Sequence, residues 1–113
     1  MANVFVNKKV DLTSDATTTL FTVPSATTAI IKSILVSDDS GSGSSITITL
    51  TNASGSVFSI VHQKVIAANE VIQIITQPLI AETGEIVKVA AANANRLHVI
   101  LSAMEVTPRT VVS

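Results

Sequence analysis

Val, Ile and Thr supply 42 of the 113 residues, at 15, 13 and 14 copies. A side chain branched at Cβ loses rotamer freedom against the preceding turn of a helix but packs well on a pleated strand. A chain this rich in them is therefore expected to be all-β. Nearly half of the residues are hydrophobic (47%), enough for one core in so short a chain. One domain over residues 1–113 is the expectation.

The remaining composition removes whole classes of chemistry. There is no cysteine, so disulfides, thiolate metal sites and thiol nucleophiles are not available. Seven basic residues face eight acidic ones, which gives no broad field of one sign to attract nucleic acid or an anionic membrane. The N-terminus Met-Ala-Asn-Val-Phe-Val-Asn-Lys-Lys-Val places its basic pair after the apolar residues, unlike a secretory signal. No run approaches the roughly 18 apolar residues of a membrane helix. With neither Trp nor Tyr, the aromatic girdles of a membrane barrel are missing as well.

Along the chain, apolar and Thr-rich runs alternate with clusters of Gly, Pro, Asn, Asp and Ser, the pattern of short strands in a sandwich or barrel. Eight strands are predicted. The first two are Ala2 to Val10 and Thr17 to Val23, the latter closed by Pro24, which cannot donate to a ladder. Thr28 to Ser37 is the third, followed by the polar turn Asp38 to Ser44. The fourth carries the clearest signal: Ile46, Ile48 and Leu50 alternate with Ser45, Thr47, Thr49 and Thr51, giving one core face and one solvent face. Val57 to Val65, apolar on both faces, reads as a doubly buried fifth strand. Val71 to Thr76, Glu85 to Ala91 and Arg96 to Thr107 complete the set, with Leu97, Val99, Leu101 and Ala103 on one face of the last. The alanine-rich stretch Ala90 to Asn95 reads as a loop. Without helices for parallel crossovers, the expected architecture is an antiparallel β-sandwich, jelly-roll-like, and an up-and-down barrel competes with it. Residues 1–10 and 107–113 read as extended arms, and Thr110-Val111-Val112 could add to a neighbour's sheet edge.

No catalytic, cofactor-binding or metal-ligating residue is assigned. His62 and His98 are the only histidines, and no third ligand is nominated by spacing. Asp38 and Asp39 beside Gly41 and Gly43 form the only clustered carboxylates, but the later ligands of a calcium loop do not follow, so a solvated turn is expected. Gly41-Ser42-Gly43 lacks the lysine and helix of a phosphate loop. Glu70, Glu82, Glu85 and Glu105 fall at strand ends and turns, with no aromatic platform for a sugar. The Asn52-Ala53-Ser54 triplet matches a glycosylation sequon without an export signal to go with it.

Apolar excess remains to be placed. Ile72 and Ile74 are expected toward the core with Val71 and Ile75 opposite, and Ile31 and Leu35 conflict in the same way with Ile30, Ile34 and Val36. Subunit contacts would cover such faces, so a homo-oligomer is expected, with a trimer favoured.

The run from Thr17 to Ser37, in which a hydroxyl-rich strand ends at Val23-Pro24 and Ala29-Ile30-Ile31-Lys32-Ser33-Ile34-Leu35-Val36 follows, resembles the opening of small β-rich virion proteins of tailed bacteriophages. Ile46 to Asn52, the Pro78-Leu79-Ile80 and Glu82-Thr83-Gly84-Glu85 turn, and Val99 to Val106 are similar too, so the resemblance spans about residues 17 to 107. It implies a non-enzymatic structural subunit of a virion assembled in the host cytoplasm. Capsid decoration or cement, by contacts with proteins such as the major capsid protein, comes first, then a tail or baseplate component. A host-surface binding module is the alternative of a different kind. No functional residue carries over, because the group's pattern is one of fold.

Overall fold

A computed structural model of the chain describes residues 2–75 and 77–107. They form nine strands and no helix: β1 (Ala2–Asp11), β2 (Thr18–Thr22), β3 (Thr28–Asp38), β4 (Ser44–Thr51), β5 (Val57–Ile66), β6 (Val71–Gln73), β7 (Leu79–Ala81), β8 (Ile86–Ala91) and β9 (Leu97–Thr107). The expected eight strands become nine because Leu79–Ala81, read from sequence as part of a turn, pairs with β3 at Ala29 to Ile31. β6 pairs with the same strand farther along, at Leu35 to Ser37. Pro78 lies between the two short strands, where its missing N–H interrupts a continuous ladder.

Every pairing is antiparallel. One sheet runs β1-β9-β3-β6, with β7 also on β3, and the other runs β2-β8-β4-β5. Apart from β4 and β5, paired neighbours are not consecutive in the chain, so the up-and-down order is excluded. The two sheets share one core. Ala29, Ile31, Ile34, Val36, Leu97, Val99, Leu101 and Ala103 come from the first, and Phe21, Ile46, Ile48, Val87, Val89 and Ala91 from the second. Segment 1–10, expected as an arm, is paired with β9 from residue 2 onward. Of the other arm, 107–113, only Thr107 is among the described residues.

Three expectations of sidedness are corrected. At the end of β4, Thr51, expected toward solvent, is buried, and Leu50, expected in the core, is only half-buried. In β3 the register shifts between Ile31 and Ser33. This bulge reverses the alternation, so Ile31, Ile34 and Val36 all point inward while Ile30 and Leu35 point outward. The conflict in the sequence is thus the signature of an inserted residue. β5 is not doubly buried but the most exposed of the long strands with a described burial pattern. It lies at the edge of its sheet, and of its side chains only Ile66 is fully buried.

Candidate interaction surface

The last strand of the larger sheet sets out its surface. β9 alternates strictly, so His98, Ile100, Ser102 and Met104 point away from the core. Cross-strand registers extend each of these into a row. Met104 lies opposite Phe5 of β1 and Ile30 of β3, and Ile30 lies opposite Ile80 of β7. This gives an apolar row of four across four strands. Phe5 is 74% exposed and Ile80 53%, whereas Ile30 and Met104 between them are half-buried by their neighbours. The next row outward is polar, with Asn7, Ser102 and Ser33 in register. Beyond it Lys9, Ile100, Leu35 and Gln73 form a mixed row.

At the far end of that face, His98 has a carboxylate at each ring nitrogen: Nε2 is 3.1 Å from Asp11 Oδ1, and Nδ1 is 3.6 Å from Asp39 Oδ2. Opposite edges of the ring are engaged, so the three groups do not converge on one point. Among the described residues no group of three His, Asp or Glu side chains could hold a metal ion. The depression beside His98, lined by Lys9, Asp11 and Ile100 among others, measures about 280 Å³, just below the range for small-molecule sites. His62 stands on β5 in the other sheet, exposed, and is not brought near His98.

Sequence reasoning missed the role of Asp38. Instead of a solvated turn residue it is a buried carboxylate at the end of β3. Oδ1 accepts from Ser40 N (3.0 Å) and Ser40 Oγ (2.5 Å), and Oδ2 accepts from Gly43 N (3.0 Å) and Asn69 N (3.0 Å). The Ser40 hydroxyl is the strongest influence holding the carboxyl well below the usual carboxylate range. The backbone N–H groups of Asn69, Ser40 and Gly43 add to it, and burial opposes them. Its lone pairs thus meet donors, the reverse of a cation loop. Gly43 completes the hub at φ +72°, where an added Cβ would lie 2.7 Å from Ile66 O, and its own carbonyl accepts from Arg96 Nη1 at 3.0 Å. Asp38, Gly43, Asn69 and Arg96 thereby tie three loops together at one end of the molecule. The signal in the sequence was Asp-x-Ser, the spacing of an Asx turn.

Two of the other acids expected at strand ends and turns, Glu70 and Glu85, act in the same local way. Glu70 Oε1 accepts from Ala67 N at 2.9 Å, and Glu85 Oε1 accepts from Glu82 N at 2.7 Å. Asn52 Oδ1 accepts from the backbone N–H of Ser54 and Ser56, which accounts for the asparagine of the sequon as a turn former. Of the residues expected to split across the sixth strand, Val71 is exposed while Ile72, Ile74 and Ile75 all pack against the core. Ile75 departs from the expectation because β6 ends at Gln73, and alternation ends with it. The tail Thr110-Val111-Val112 lies outside the described residues. In comparisons with known proteins, the chain matches no family model, no curated protein and no solved structure.

Proposed function

We propose that this chain is a non-enzymatic structural subunit of a tailed-phage particle, acting as a homo-oligomer that decorates and stiffens the capsid through protein contacts. The observation that carries the contact role is the apolar row Phe5, Met104, Ile30 and Ile80. It lies on the outer face of a paired sheet, where contiguous apolar surface marks a place for a partner. The resemblance of residues 17–37 to small virion proteins supplies the kind of particle. We also read the fold as a jelly-roll sandwich. The orders β1-β9-β3-β6 and β2-β8-β4-β5 support that reading, with β6 and β7 taken as two halves of one strand against β3.

The test is co-sedimentation of the purified protein with empty capsids, and separately with isolated tails, of tailed phages. Pelleting with capsids is expected, and it should be lost in a Met104→Glu, Ile80→Glu variant that keeps its strand circular dichroism. Pelleting with tails alone would move the protein to the tail. Binding to neither would overturn the virion reading.

A further inference from the structure

The two sheets have four edges, and three of them are blunted. β2 is five residues long with a register shift between Thr19 and Phe21. β6 and β7 have three residues each. β5 is long, but its pairing shifts twice and Gln63 sits at φ 51°. These are the devices by which sheets avoid pairing with other chains. β1 is the exception. Its ten residues pair with β9 without a shift, and among the described residues no strand lies on its other side.

Within β1, Asn3-Val4-Phe5-Val6-Asn7 reads the same in both directions. A two-fold axis perpendicular to a sheet pairs residue i of one copy with j of the other and j with i, which is the symmetry of a palindrome. We propose that β1 pairs antiparallel with β1 of a second copy, Phe5 against Phe5 on the axis, joining two sheets into one. In this register Asn3 faces Asn7 twice on the outer face, and Val4 faces Val6 twice on the core side. Side chains of a pair must share a face, so only shifts by whole two-residue repeats of the pairing compete. Centring on Val6 sets Val4 against Lys8, and centring on Lys8 sets like charges opposite each other. The chosen register also joins the two apolar rows end to end through Phe5. It covers Phe5 and Val4, which are 74% and 52% exposed in the single chain. The pairing runs from Ala2 opposite Lys8 to Lys8 opposite Ala2, and Lys9 and Asp11 put charge on the three residues of β1 that it leaves free. Two copies, not three, close this contact. It gives the oligomer of the proposed function its partner surface and fails separately from that reading.

The absence of cysteine makes the register directly measurable. Opposed Cα atoms in an antiparallel pair lie about 4.5 or 5.5 Å apart, within the span of a disulfide. Phe5→Cys is expected to crosslink to itself on mild oxidation. Lys9→Cys is not, since its two copies would lie about 27 Å apart along the pair. Chains carrying Asn3→Cys and Asn7→Cys should crosslink with each other and neither with itself. By light scattering the unmodified chain should approach twice its 11.7 kDa mass with rising concentration. Phe5→Lys should raise the dissociation constant about 100-fold or more while the strand signal persists. A monomer or trimer at every concentration, an unchanged mass for Phe5→Lys, or equal crosslinking at residue 9 would overturn the pairing. A dimer that ignores phage particles would sink the virion reading alone, and a monomer that pellets with capsids would sink the pairing alone.

Discussion

Two buried polar groups stand at opposite ends of the rule that buried polar atoms are paired. Asp38 obeys it with four donors, so its charged form is bound in the folded chain more strongly than in the unfolded one. A carboxyl held low contributes stability that is complete above its unfolded value, about 3.9, and that drains away as pH falls toward the folded value. Asp38→Asn keeps the shape but cannot satisfy the same N–H groups. Its melting temperature should lie below that of the parent at pH 7, and the gap should narrow in scans taken progressively below about pH 4. A gap that stays constant through that range would remove the carboxylate from the acid response. Thr51 is the opposite case. It is 8% exposed, and its Oγ1 has no hydrogen-bond partner. An unmatched buried hydroxyl costs about 1–3 kcal/mol, so Thr51→Val, nearly the same shape, should stabilise the fold by about 1 kcal/mol in urea melts.

At the level of strands, burial differs sharply between positions that look alike in sequence. Leu50 and Leu97 both continue clean alternations, yet Leu97 is fully buried and Leu50 only half so. The difference lies in what each faces: Leu50 is in register with Phe58 of the exposed edge strand β5, past the two register shifts of that pairing, while Leu97 opens β9 opposite the buried Asp38 of β3. Leu97→Asp should leave an unpaired charge in the core and abolish folding, whereas Leu50→Asp should give a soluble, less stable protein by circular dichroism. Ile48→Ala, at a fully buried site on β4, should cost about 2–5 kcal/mol. Strand identity was legible wherever alternation was strict, as in β4 and β9, because burial on one face forces it. It was not legible where a tertiary pairing decided: nothing local marks Leu79–Ala81 as a strand until β3 is laid beside it. The bulge at Lys32 was visible only as a contradiction between two apolar sets. The surface row was illegible for the same reason, since its members come from strands far apart in the chain, and the Asp38 hub needed Asn69 from another loop.

For the whole molecule, what is exposed matters as much as what is enclosed. Val4, Phe5 and Ile80 lie on the larger sheet and Val57, Phe58 and Val65 on the outer strand of the smaller one. The capsid and crosslinking experiments separate these surfaces. A Phe58→Lys, Val65→Lys variant should leave both the dimer mass and capsid pelleting unchanged, and loss of either would move the contact to the smaller sheet. The ladder between β1 and β9 has a temporal side as well. It pairs Ala2 with Thr107 and Asp11 with His98, so among the nine described strands the first to be made waits for the last before this ladder can form. Contacts so distant in sequence form slowly, on the scale of milliseconds to seconds. During that wait both edges of the palindromic strand are open, and two nascent chains on neighbouring ribosomes could meet through it before either has closed its own sheet.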